Sequence, residues 1–139
     1  MDLFQLTVDS VYYPLGNLPY SYQNDKLNIS LPVVLNTNDT ISLTVAYQGS
    51  PKKDASGFGG FYFFPNMAFN LGVGFTADPH NLGKVWFPCL DVFDDKSKYE
   101  FYITTPLTQK AYCNGFLNES LINANNTNTW HWKMNDYIP

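Results

Sequence analysis

The chain has 139 residues, 45% of them hydrophobic, 17% aromatic and only 14% charged, with a formal net charge of −4. This composition excludes a disordered chain, and the length suits one domain burying roughly two thirds of its unfolded surface. No run approaches the ~20 apolar residues of a membrane-spanning helix, and all eight basic residues are lysines, so the bidentate arginine reader of phosphate and guanine is missing and nucleic-acid binding is not expected.

Read in chain order, the sequence predicts strands. Leu3 to Val8 alternates with period two and continues through Ser10 to Tyr13, the pattern of a half-buried strand. Pro14 to Pro19, with Gly16-Asn17 inside, reads as a turn. Leu27 to Leu31 follows the turn residues Asn24-Asp25, and Thr40 to Tyr47 alternates most cleanly of all. Gln48 to Gly60 carries no burial pattern and reads as a mobile loop. Phe58 to Phe75 sets glycines beside large rings, which predicts tight strand bends. Val85 to Leu90 is apolar but contains Pro88, so it is either an edge strand or irregular. Ser97 to Thr105 alternates again. Lys110 to Leu117 and Thr129 to Met134 are two further strands, separated by a polar loop from Asn118 to Asn128. No amphipathic helix of ten residues occurs. The expected class is all-β, an antiparallel sandwich or saddle-like curled sheet in a single domain.

Signs of catalysis are absent from this pattern. His80 and His131 lie far apart without metal-ligand spacing, and neither a GxSxG elbow nor a P-loop occurs. Gly57-Phe58-Gly59-Gly60 lacks the lysine of a phosphate loop and reads as a backbone bend. His131, between Trp130 and Trp132, is expected on a solvent-facing side of its strand. Asp91, Asp94 and Asp95 lack the spacing of a calcium loop, and Asp91 is expected to cap a turn. Cys89 and Cys113 cannot make a zinc site alone. They form either one disulfide or two buried thiols, the second favoured because each lies in an apolar run.

The middle and end of the chain carry a more specific ordered set of motifs. It runs from Gly57-Phe58-Gly59-Gly60-Phe61-Tyr62-Phe63 through Ala68 to Phe75 and Asp78-Pro79-His80-Asn81. It continues with Trp86-Phe87-Pro88-Cys89-Leu90-Asp91, Lys96, Tyr99 to Pro106, Cys113-Asn114-Gly115 and Thr129 to Lys133. In this order and spacing the chain resembles the N-terminal β-domain of the aminopeptidase N family of zinc metallopeptidases, in a bacterial branch. Gly59, Gly60, Pro88, Cys89, Asp91 and Lys96 match structural motif positions of that family. Lys84 stands where many relatives have arginine.

The resemblance implies an accessory wall to an exopeptidase that removes N-terminal residues with a zinc-activated water. The HExxH zinc helix and the GxMEN loop of the family are not in this sequence. Both belong to a following catalytic domain, so residues 1–139 are expected to be a partial, non-catalytic N-terminal domain, with zinc only in the parent enzyme. The implied partners are its own catalytic domain and a peptide substrate. Positions matching the family's substrate-binding segment fall at Asp78, His80 and Asn81, without the family's usual glutamine. They either line the S1 pocket or form a plain turn, since Asp-Pro and His-Asn are common turn dipeptides. Met1-Asp2-Leu3-Phe4 lacks the features of a signal peptide, and family habit implies a periplasmic or secreted parent. A sheet lacking strands would expose unpaired edges, which implies an edge-paired dimer. The rival reading is a stand-alone carbohydrate-binding or adhesive sandwich, its sugars stacked on Tyr12, Tyr13, Tyr20, Tyr22, Trp130 and Trp132. In a small sandwich such rings more commonly fill the core.

Overall fold

The computed structural model describes every residue, Met1–Pro139. Its strands are β1 (Thr7–Tyr13), β2 (Gly16–Asn17), β3 (Tyr20–Gln23), β4 (Lys26–Ile29) and β5 (Thr44–Gln48). They continue with β6 (Gly59–Phe64), β7 (Met67–Gly74), β8 (Ser97–Pro106), β9 (Phe116–Ile122) and β10 (Thr127–Ile138), and one 3-10 turn spans Gly83–Val85. Every pairing is antiparallel and no α-helix forms, so the protein is all-β as its periodicity requires. The chain divides into two compact units, Met1–Phe93 and Asp94–Pro139.

In the first unit, β1 lies between β2 and β5. Val11 is 1% exposed and clusters with Leu18 and Leu27, with Tyr22, Ile29 and Val45 packed against them. β3 and β4 form a hairpin whose turn residues, Asn24 and Asp25, both have positive φ (51° and 59°). That conformation matches the right-handed twist of the paired strands, and asparagine and aspartate tolerate it. β6 and β7 pair across Pro65-Asn66 with Phe61 opposite Asn70 and Phe64 opposite Met67.

Three features of this unit differ from the sequence reading, the first being Gly16–Asn17, which pairs with Tyr12 and Tyr13 as β2 inside the expected turn. Thr40 to Leu43 alternates but joins no ladder, because β1 offers partners only from Thr7 to Tyr12, which face Gln48 to Thr44. Tyr20–Gln23 is a strand because β4 supplies its partner at the turn. Around Pro88 the chain is irregular apart from Cys89, which exchanges two backbone hydrogen bonds with Asp2 at 2.7 and 3.1 Å.

The second unit is a three-stranded meander, order β8-β10-β9. The expected loop from Asn118 to Asn128 is instead mostly strand, with β9 ending at Ile122 and β10 starting at Thr127. Side-chain chemistry closes this hairpin tightly. The Asn123 amide donates to the Thr127 and Thr129 hydroxyls (2.9 and 3.0 Å), and the Thr127 hydroxyl donates to Asn125 Oδ1 at 2.6 Å. The expected strand from Lys110 begins only at Phe116, and Ala111 is instead buried, its carbonyl accepting from Trp132 Nε1 at 3.0 Å.

His131 is also corrected. Strand alternation does set it opposite Trp130 and Trp132, but it is 7% exposed rather than solvent-facing. The Tyr102 ring stacks on it at 4.1 Å, Glu100 meets Nε2 at 3.0 Å, and Asn118 and Glu119 meet Nδ1 at 3.1 and 3.4 Å. Neighbouring strands thus bury a polar side chain by saturating it.

Candidate functional site

The segment from Phe58 to Asp91 is built around one carboxylate, Asp54, which is 6% exposed. It accepts hydrogen bonds from the backbone N–H and hydroxyl of both Ser56 and Thr76. Those bonds, Ser56 first, hold its carboxyl down at about 2, as expected when donors favour the charged form. Asp54 therefore joins the stretch expected to be a mobile loop to the end of β7. Gly59 and Gly60, with φ of 111° and 72°, give the close approach this needs. A Cβ on Gly59 would strike the Val73 carbonyl, and one on Gly60 the Lys52 carbonyl.

Asp91 forms a second anchor. Its Oδ1 accepts from the Gly83 N–H at 3.0 Å, its Oδ2 lies 3.6 Å from Lys84 Nζ, and its backbone N–H reaches Asp2 Oδ2 at 3.3 Å. It caps a turn, as the sequence suggests, but one eight residues upstream. Beside it, burial and then the charges of Asp91 and Asp2 push the Cys89 thiol up to about 12. Partial burial also raises the Cys113 thiol, and both cysteines are free, half-buried rather than fully buried as expected. The thiolate is the reactive species, so both thiols should react with Ellman's reagent far more slowly in the native protein than in urea. Native labelling as fast as in the unfolded chain would contradict the burial assignment. Lys96, the last motif position, is exposed ahead of β8.

Between these anchors runs the turn holding the candidate substrate residues. Asp78-Pro79 is a cis peptide, and Asp78 and His80 are both exposed. His80 Nδ1 lies 2.7 Å from the Ala77 carbonyl. A carbonyl only accepts, so Nδ1 carries the proton and Nε2 of the neutral ring is left as an acceptor. Asn81 is different: it is 7% exposed and its side-chain amide donates to the Asp91 carbonyl. The turn thus brings Asp78 and His80 to the surface and uses Asn81 to fix itself to the Asp91 anchor.

Two motif residues that the sequence reading gives no site role join this surface. Phe58 and Phe75 stack at 4.9 Å while remaining 50% and 57% exposed, and His80 stands edge-on to Phe75 at 5.6 Å. Glycine-rich spacing hints at a bend here but not at which ring stays outside.

The family model for the peptidase M1 N-terminal domain matches residues 7–139. The chain belongs to this family. The fold of this M1 N-terminal domain is shared with crystal structures of an M1 zinc metallopeptidase from Deinococcus radiodurans. One is the protein itself and another a mutant bound to a Tyr-Ser-Ala substrate, each at TM-score 0.86 and 20% identity over 99% of this chain. A two-domain M1 zinc metallopeptidase mutant bound to L-arginine matches at TM-score 0.86 and 19% identity over 100% of the chain. The M1 N-terminal domain described here spans 31% of the length of each. No curated protein matches the chain significantly. Within the domain, no three His, Cys, Asp or Glu side chains gather into a metal-holding group, so its own residues do not fit a zinc centre. No helix is long and apolar enough to cross a membrane.

Proposed function

We propose that this chain is the accessory, non-catalytic N-terminal domain of a zinc aminopeptidase and walls the pocket where a peptide's N-terminal residue is held. The observation that carries the reading is the exposed turn at Asp78 and His80, fixed between the Asp54 and Asp91 anchors within a chain of the M1 N-terminal family. The Asp78 carboxylate and the His80 Nε2 lone pair can accept hydrogen bonds from a substrate ammonium, and the Phe58–Phe75 stack offers an apolar surface to its side chain. None of these groups activates water. That step, with zinc, falls to a catalytic domain carrying the HExxH motif. Asn81 acts by positioning the turn. In the enzyme joined to its catalytic domain, Asp78→Ala or His80→Ala is expected to raise KM about tenfold, the effect of losing one hydrogen bond to a charged group, with zinc content unchanged. Unchanged kinetics for both would remove the turn from the substrate wall.

The carbohydrate-binding reading is less well supported. Trp130 Nε1 donates to Thr105, Trp132 Nε1 to Ala111, and Tyr22 packs on the Val11 cluster. Those three rings are occupied in packing, whereas Tyr12 and Tyr20 stay 42% and 38% exposed. Self-association is proposed through β9, an edge strand with all seven residues exposed. Exposed edges invite pairing with a second copy. Light scattering at high concentration should then report dimers, and a clean monomer would count against the pairing.

A further inference from the structure

A cavity of about 490 Å³ opens in the first unit beside the Asp54 anchor. It is lined by three lysines, Lys52, Lys53 and Lys84, although the chain carries only eight lysines and a net charge of −4. The one acidic side chain in its lining is Asp54, whose two oxygens are already taken up by Ser56 and Thr76. The lysines are less committed. Lys53 Nζ lies 4.9 Å over the Tyr62 ring, a contact that uses no N–H donor, and Lys84 lies 3.6 Å from Asp91, a loose ion pair. Gln5 also lines the cavity and adopts φ of 54°, a left-handed conformation that non-glycine residues hold at a cost. Phe4, Ala55 and Leu82 supply apolar lining.

We propose that this cavity binds the carboxylate of a small organic acid that also carries an apolar group. Three lysines against the single ionised carboxylate of Asp54 leave the lining net positive, which favours an anion, and the volume fits a small ligand. The apolar lining favours an organic acid over a bare inorganic ion. The ligand is either a free acid or the C-terminal carboxylate of a short peptide, since Thr76 and Ala77 of the lining lead into the turn at Asp78. Carboxylate binding does not rest on the peptidase reading, because it concerns this chain alone; only the peptide-terminus source does.

The test is an amide-resolved NMR titration of the 139-residue chain. The ligands are 4-phenylbutyrate, its uncharged amide, inorganic phosphate, and Ala-Ala-Phe with a free or an amidated C-terminus. The acid should shift Gln5, Lys52 to Ala55, Thr76 and Ala77, and its amide should bind about tenfold more weakly or worse. Lys52→Met and Lys53→Met, both at exposed positions, should weaken the acid similarly, and added salt should do the same. Tighter binding of the free-acid peptide than of phenylbutyrate identifies a peptide terminus as the ligand, and the reverse a free acid. Equal binding of acid and amide, equal binding of phosphate, or no shifts at these residues would each overturn the assignment.

Discussion

Gly59→Ala is expected to destabilise the domain by roughly 3 kcal/mol, a large share of the 5–15 kcal/mol that holds a typical domain together. Two effects add. Alanine is strained at φ of 111°, and its methyl would meet the Val73 carbonyl, which cannot move without disturbing the β6–β7 ladder. Gly57 provides the control, because its φ of 79° is also positive but nothing lies within 4 Å of a Cβ placed there. Gly57→Ala should cost only about 1 kcal/mol, the conformational part alone. Urea unfolding of the two variants separates these contributions through the midpoint, with the slope unchanged. Equal shifts for both would mean that the close approach at Gly59 contributes nothing.

The second large effect is expected at Asp54 and depends on pH. Its carboxyl is held at about 2 in the folded protein, against about 3.9 in an unfolded chain. Because the folded value is depressed, the group's stabilising contribution is present above pH ~4 and is lost as pH falls toward ~2. The amide signals of Ser56 and Thr76, which report on this carboxylate, should therefore titrate near the lower value. Asp54→Asn keeps an acceptor but removes the charge, so it should abolish that acid limb and loosen residues 52–60 at neutral pH. A midpoint near 4 in the wild-type chain would show that the four hydrogen bonds do not favour the ionised form.

Much of the fold is legible in the residues, and the departures share one cause. Ser97 to Thr105 alternates and is a strand, since its period of two matches a sheet with one face covered. Thr40 to Leu43 alternates equally well and is not, because a ladder needs a partner and the pairing with β1 ends at Thr44 opposite Tyr12. The Asn118–Asn128 stretch has poor strand propensity, yet β10 supplies partners for Glu119 to Ile122, and asparagine side chains close the turn. Tertiary pairing decides both cases against local preference. His131 follows the same logic, since its burial comes from Tyr102 and Glu119 on neighbouring strands, which no reading of its own strand reveals.

The site was legible in a different way. Order and spacing of motifs pointed to the family, and Gly59, Gly60 and Asp91 occupy positions where backbone approach or anchoring demands them. Asp54 had no motif signal, because its importance lies in Thr76, twenty-two residues away. The family resemblance groups Asn81 with Asp78 and His80, whereas its amide faces inward to Asp91. The exposed stack of Phe58 on Phe75 was likewise hidden, since a phenylalanine-rich hairpin normally reads as core.

The central claim is that this domain shapes substrate binding without chemistry of its own. Its most direct test is kcat/KM for an aminoacyl-nitroanilide in the presence of zinc. The measurement compares this chain alone, the proposed catalytic domain alone and the two joined. No release is expected from this chain alone, and a clearly lower KM from the joined protein than from the catalytic domain. Zinc-dependent release by the isolated chain, or a KM that its addition leaves unchanged, would contradict the account.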